Sequence, residues 1–109
     1  MPEDEPLDEF EALVADSIDR LPEEFRKLLD KVPVIVSELG AQASAYGQYF
    51  GDGVARDFYE DKIVLYRDTL ERDFGHDPAL LAREIDRTLR HELAHHLGWD
   101  EGGVGGLGL

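Results

Sequence analysis

The run RHELAHHLGWDE, residues 90–101, gathers His91, His95 and His96 with Glu92, Asp100 and Glu101. On a helix, residues four apart lie on one face about one turn from each other, so His91 and His95 offer two imidazoles at the spacing that one zinc ion accepts. Glu92 is turned roughly 100° around the axis from His91, which keeps its carboxylate off the metal but within reach of a metal-bound water. There it suits the work of a general base, with zinc lowering the pKa of the water toward neutrality. A catalytic zinc keeps one position open and needs a third protein ligand. Gly98 can end the helix and turn the chain back, which offers Glu101 or Asp100 for that position, and spacing alone does not choose between them. His96 leaves the helix roughly 100° away from His95, so it is not expected on the same ion. It is either a hydrogen-bonding partner that orients the site or a satisfied histidine at a helix end. Two imidazoles and a carboxylate suit one zinc ion without excluding nickel, iron or cobalt.

These residues need a helix to carry them, and HDPALLAREIDRTLRHELAHHLG has the marks of one. Asp77 can cap it, Pro78 suits the first turn, and Gly98 suits the left-handed position just past the end. Its core stripe, Leu81, Ile85, Leu89, Leu93 and Leu97, places Glu92 at the border between the stripe and the histidine face, where a carboxylate is partly desolvated. Upstream, Leu7, Phe10, Leu13, Val14, Ile18 and Leu21 recur at three- and four-residue spacing and predict an amphipathic helix with an acidic outer face. PEEFRKLLD predicts a second, short helix beginning at Pro22. VPVIVSE is β-branched and too short for a helix, so it reads as a strand with Pro33 at its start or at an edge. In AYGQYFGDG the glycines punctuate an aromatic run whose middle can pair as a strand before the turn Gly51-Asp52-Gly53. KIVLYR, a continuous apolar run, predicts a strand covered on both faces, and RDTLERDFG reads as a helical turn or an irregular connection.

The chain has 109 residues and is 42% hydrophobic, enough for a single core, so one domain over 1–101 with a glycine-rich flexible tail at 102–109 is expected. Twenty-five acidic against 11 basic residues give a formal charge of −14, which argues against nucleic acid or an anionic membrane as partner. MPEDEPLDEF has no positive n-region, and no stretch approaches the roughly 18 apolar residues of a membrane span, so the expectation is a soluble, cytoplasmic protein without an export signal. With no cysteine, disulfides and thiolate ligands are excluded.

HELAHHLGWDE resembles the zincin metallopeptidases, with Gly98 and Glu101 in the frame of the extended HExxHxxGxx motif that ends in a ligand. The order LPEEFRKLLDKVPVIVSE, YGQYFGDG, KIVLYRDTLERDFG and TLRHELAHHLG is similar to the small bacterial zincin-like family of minimal metallopeptidase domains, from about Leu7 to Glu101. That resemblance implies an α+β fold: a compact zincin-like core of about three helices packed on a small mixed sheet of about three strands, with HExxH on the C-terminal helix. It implies zinc ligated by His91, His95 and the position of Glu101, with Glu92 as general base and a peptide or protein as substrate. The family usually has Asp at the position of Glu101, which keeps Asp100 as the alternative ligand. The only methionine is Met1, so the methionine turn of larger metzincins is missing, as is the carboxy-terminal subdomain that walls one side of their cleft. A non-catalytic zinc-binding regulatory or interaction module on the same scaffold is therefore the alternative to a peptidase.

Around this centre, Trp99 can floor a substrate pocket or anchor the loop after Gly98. Tyr66, and Tyr46 or Tyr49 near the glycines, can donate to an oxyanion or serve as core and rim aromatics. His76 precedes a helix start and needs no role. An extended substrate is expected against the edge of the strand Lys62 to Arg67. Oligomeric state leaves no mark in the sequence.

Overall fold

The apolar run of KIVLYR becomes the middle of a three-stranded mixed sheet. A computed structural model describes residues 8–51 and 61–97. Gly98, Trp99, Asp100, Glu101, the tail at 102–109 and the turn residues Asp52 and Gly53 lie outside that description. Three strands, β1 (Val34–Ser37), β2 (Gly47–Phe50) and β3 (Lys62–Tyr66), stand in the order β1-β3-β2. β3 runs parallel to β1, with Ile35 opposite Val64, and antiparallel to β2, with Gln48 opposite Val64. Its four residues Ile63 to Tyr66 are all buried, as a strand covered on both faces requires.

Five helices surround the sheet among the described residues: α1 (Glu9–Asp19), α2 (Glu23–Arg26, loosening into a 3₁₀ turn at Lys27–Asp30), α3 (Gly40–Ala43), α4 (Arg67–Phe74) and α5 (Pro78–His96). The fold is α+β, as expected, and three of the helices were anticipated as such. α3 is a single turn whose leading N–H groups at Gly40 and Ala41 donate to the Asp68 carboxylate at 2.8 and 2.9 Å, a cap supplied from another element. α4 follows β3 without a linker, so RDTLERDFG is a regular two-turn helix. α1 begins in a reciprocal capping box, the Glu11 N–H donating to Asp8 at 2.8 Å and the Asp8 N–H to Glu11 at 3.2 Å.

α5 holds the structure together. Asp77 accepts from the N–H groups of Ala79 and Leu80, and Pro78 opens the first turn. Leu81, Ile85, Leu89 and Leu93 meet Ile63, Leu65 and Leu70 in the core, together with Phe10 and Val14 from α1. Leu97, at the end of the stripe, is only half-buried. Arg20 at the end of α1 reaches Asp86 at 2.7 Å and braces the outer side of α5. One expectation is overturned here. β3 is paired on both sides, so its edge cannot receive a substrate; among the described strands the outer position beside α5 is that of β2, and Arg67 already belongs to α4.

Candidate metal centre and active site

HELAHH is two overlapping pairs at four-residue spacing, and α5 turns them to different neighbours. His91 and His95 point to the outer side, with their Nε2 atoms 3.1 Å apart and their ring centres 4.8 Å apart. Two nitrogens bound to one tetrahedral zinc at about 2.0–2.1 Å stand roughly 3.3 Å apart, so this pair fits the donor set of such an ion. The spacer residues Leu93 and Ala94 are fully buried and fasten the helix beneath the imidazoles. Among the described residues no group of three or more His, Cys, Asp or Glu side chains converges as for a metal; the two histidines come together, and the candidates Asp100 and Glu101 lie outside the description.

Glu92 and His96 face β2 instead. Burial raises the Glu92 pKa above its ordinary 4.5, opposed by the neighbouring His95 and His91 and, least, by the backbone N–H of Tyr49. The strand comes this close because residue 47 is glycine: a Cβ there would stand 2.5 Å from Thr88 Cγ2 and 3.5 Å from Glu92 Cγ. In the ladder, Tyr66 donates its N–H to the Tyr46 carbonyl at 2.8 Å. Antiparallel alternation then turns the backbone groups of Gly47 and Tyr49 away from β3.

From His91 and Glu92 a groove of about 530 Å³ runs back along α5, lined by Gly47 and Thr88 and walled by Tyr46, Phe74 and Arg87. Tyr46 is held at its rim by donating to Asp73 at 2.6 Å and by its ring against Phe74. Tyr66 is elsewhere. It follows Leu65, which faces α5, so its side chain projects from the opposite face of the sheet, where its hydroxyl meets Gln48 at 3.0 Å. His76 lies exposed in the turn between α4 and α5.

His96 is buried, its Nδ1 2.9 Å from Asp61 and 3.2 Å from the Tyr49 hydroxyl. Asp61 was missed in the sequence, since a single acid ahead of a strand carries no local signal of a partner on a distant helix.

The profile of the zincin-like metallopeptidase family matches residues 29–107, well over half of the chain and all of the site. The chain belongs to this family. No curated protein matches it. The matched span begins in the turn after α2 and includes all of α5, so α1 precedes it while Asp86, which Arg20 braces, lies within it. No helix among the described residues is long and apolar enough to cross a membrane.

Proposed function

We propose that this zincin-like chain is a zinc-dependent metallopeptidase in which His91, His95 and Glu101, or Asp100 in its place, hold one zinc ion and Glu92 is the general base. The observation that carries this reading is the 3.1 Å convergence of the two Nε2 atoms beside a half-buried carboxylate with a raised pKa. Zinc, when bound, polarises a peptide carbonyl and acidifies a water. Glu92 accepts the proton of the attacking water and can pass it on to the departing amine; its raised pKa brings it closer to the working pH of such a shuttle. An extended peptide finds main-chain partners on the outward edge of β2 at Gly47, next to Glu92. The groove between Tyr46, Phe74 and Arg87 then receives a side chain of that peptide.

The test is metal content by mass spectrometry on untagged protein prepared without chelators, with cleavage of a peptide library measured in parallel. One zinc per chain is expected in the native protein and in Glu92→Gln, but not in His91→Ala. Peptide cleavage is expected to fall roughly 10²–10⁴-fold in Glu92→Gln. Comparing Glu101→Ala with Asp100→Ala identifies the third ligand by which of them loses the metal. Full cleavage by Glu92→Gln would reject the mechanism, and zinc bound without any cleavage by the native chain would favour the non-catalytic module.

A further inference from the structure

The groove that starts at His91 and Glu92 ends at a charge that the proposed mechanism does not use. Its α5 side follows the four-residue spacing of one helix face, from Glu92 back through Thr88 to Glu84. Glu84 precedes His91 by seven residues, two turns or about 10 Å along the axis. The walls between them offer few open polar groups. Thr88 donates its hydroxyl to the Glu84 carbonyl at 2.7 Å and turns its methyl toward Gly47. Tyr46 donates to Asp73, which also accepts from Arg72, and the Tyr46 ring leans on Phe74.

Glu84 and Arg87 differ from these. Among the described residues neither side chain forms an ion pair or a hydrogen bond, although three-residue helical spacing brings the two within reach of each other. Arg87 is exposed, so its charge is screened by water and salt, whereas Glu84 is half-buried. Two carboxylates, Glu84 and Glu92, thus line the groove against one guanidinium, on a chain whose formal charge is −14. Such a channel repels an acidic side chain and draws in a basic one.

We propose that Glu84 is a specificity-determining residue: the groove takes a long basic side chain, lysine or arginine, of the bound peptide, and the Glu84 carboxylate receives its charged head. The methylene stem lies along Phe74, the Tyr46 ring and the Thr88 methyl, an apolar path that suits a side chain with a charge only at its tip. Two helical turns separate the reacting end from Glu84, so short side chains stop before they reach it.

The inference rests on the peptidase reading for the placement of the peptide, and its binding arm needs no turnover. Three short peptides that differ at one position, lysine, norleucine or glutamate, are titrated into the full-length Glu92→Gln chain. The NMR signals of the Thr88 methyl and the Gly47 amide report occupancy of the groove. The lysine peptide is expected to shift both with a Kd about tenfold below that of the norleucine peptide, and the glutamate peptide to bind most weakly. Adding Glu84→Gln removes the lysine advantage, and adding Glu84→Lys instead turns the preference toward glutamate. In cleavage by the chain with Glu92 intact, Glu84→Gln lowers the ratio of kcat/KM for lysine over norleucine by the same factor. A lysine advantage that survives Glu84→Gln would overturn the proposal. So would a glutamate advantage that disappears with Arg87→Gln, or the absence of any shift with all three peptides. Lysine-selective shifts without cleavage by the native chain would reject the peptidase reading and keep this one. Cleavage without a preference for lysine would do the reverse.

Discussion

At Glu92 two environments meet: burial against α5 pushes the carboxyl pKa up, and the neighbouring His95 and His91 favour the charged form. Asp73 is in the opposite situation. The guanidinium of Arg72 and the hydroxyl of Tyr46 both bond its carboxylate and lower its pKa from 3.8 to about 2. A depressed carboxylate contributes stability that is present above its ordinary pKa and is lost as the pH falls through the folded value, here between about 4 and 2. An NMR titration of the Asp73 carboxyl carbon is expected to give a midpoint near 2, and Tyr46→Phe to move it up toward 3.8. An unchanged midpoint in Tyr46→Phe would mean that Arg72 alone sets it. At this scale the histidines and Glu92 were legible because four-residue spacing on a helix is a local property. The contacts of His96 Nδ1 with Asp61 and Tyr49 were not, because they join α5 to residues far upstream in sequence.

Among the elements, α5 was readable nearly end to end: its cap at Asp77, Pro78 and the stripe from Leu81 to Leu93 all stand in the sequence and act as expected, with only Leu97 left half-buried. The place of β3 was not readable. An apolar run says that both faces are covered, but it does not say that both edges are taken, so the order β1-β3-β2 moved the available edge to β2. α3 escaped because its cap, Asp68, comes from α4 rather than from its own preceding residue. The contact between β2 and α5 gives a prediction of its own. Gly47→Ala sets a methyl 2.5 Å from that of Thr88, whose hydroxyl is tied to the Glu84 carbonyl at 2.7 Å and so resists rotation. The substitution is expected to cost about 1–3 kcal/mol in denaturant unfolding. Combining it with Thr88→Ser, which keeps the hydroxyl and deletes the methyl, is expected to recover most of that loss; no recovery would place the strain on the Val64 carbonyl instead, 3.0 Å from the same added methyl.

In the whole molecule the core and the site share one helix. Leu89 and Leu93 are fully buried against the sheet on either side of His91 and Glu92 in sequence, so packing and chemistry are carried by alternate faces of the same two turns. Leu89→Ala is expected to destabilise the protein by about 2–5 kcal/mol, measured by urea unfolding. If the proposed site holds zinc and depends on the packed helix, zinc affinity falls in parallel; unchanged affinity would show that the last turns hold their shape without the core beneath them. The position of β3 between two partners also sets a hierarchy of opening. Its amides, and those of α5 from Ile85 to Leu93, are expected to exchange with deuterium only through global unfolding, while those of β2, an edge strand, exchange through smaller local openings. The strand beside Glu92 can then lift away and return while the interior stays closed, so this flank of α5 has a clock faster than that of the fold.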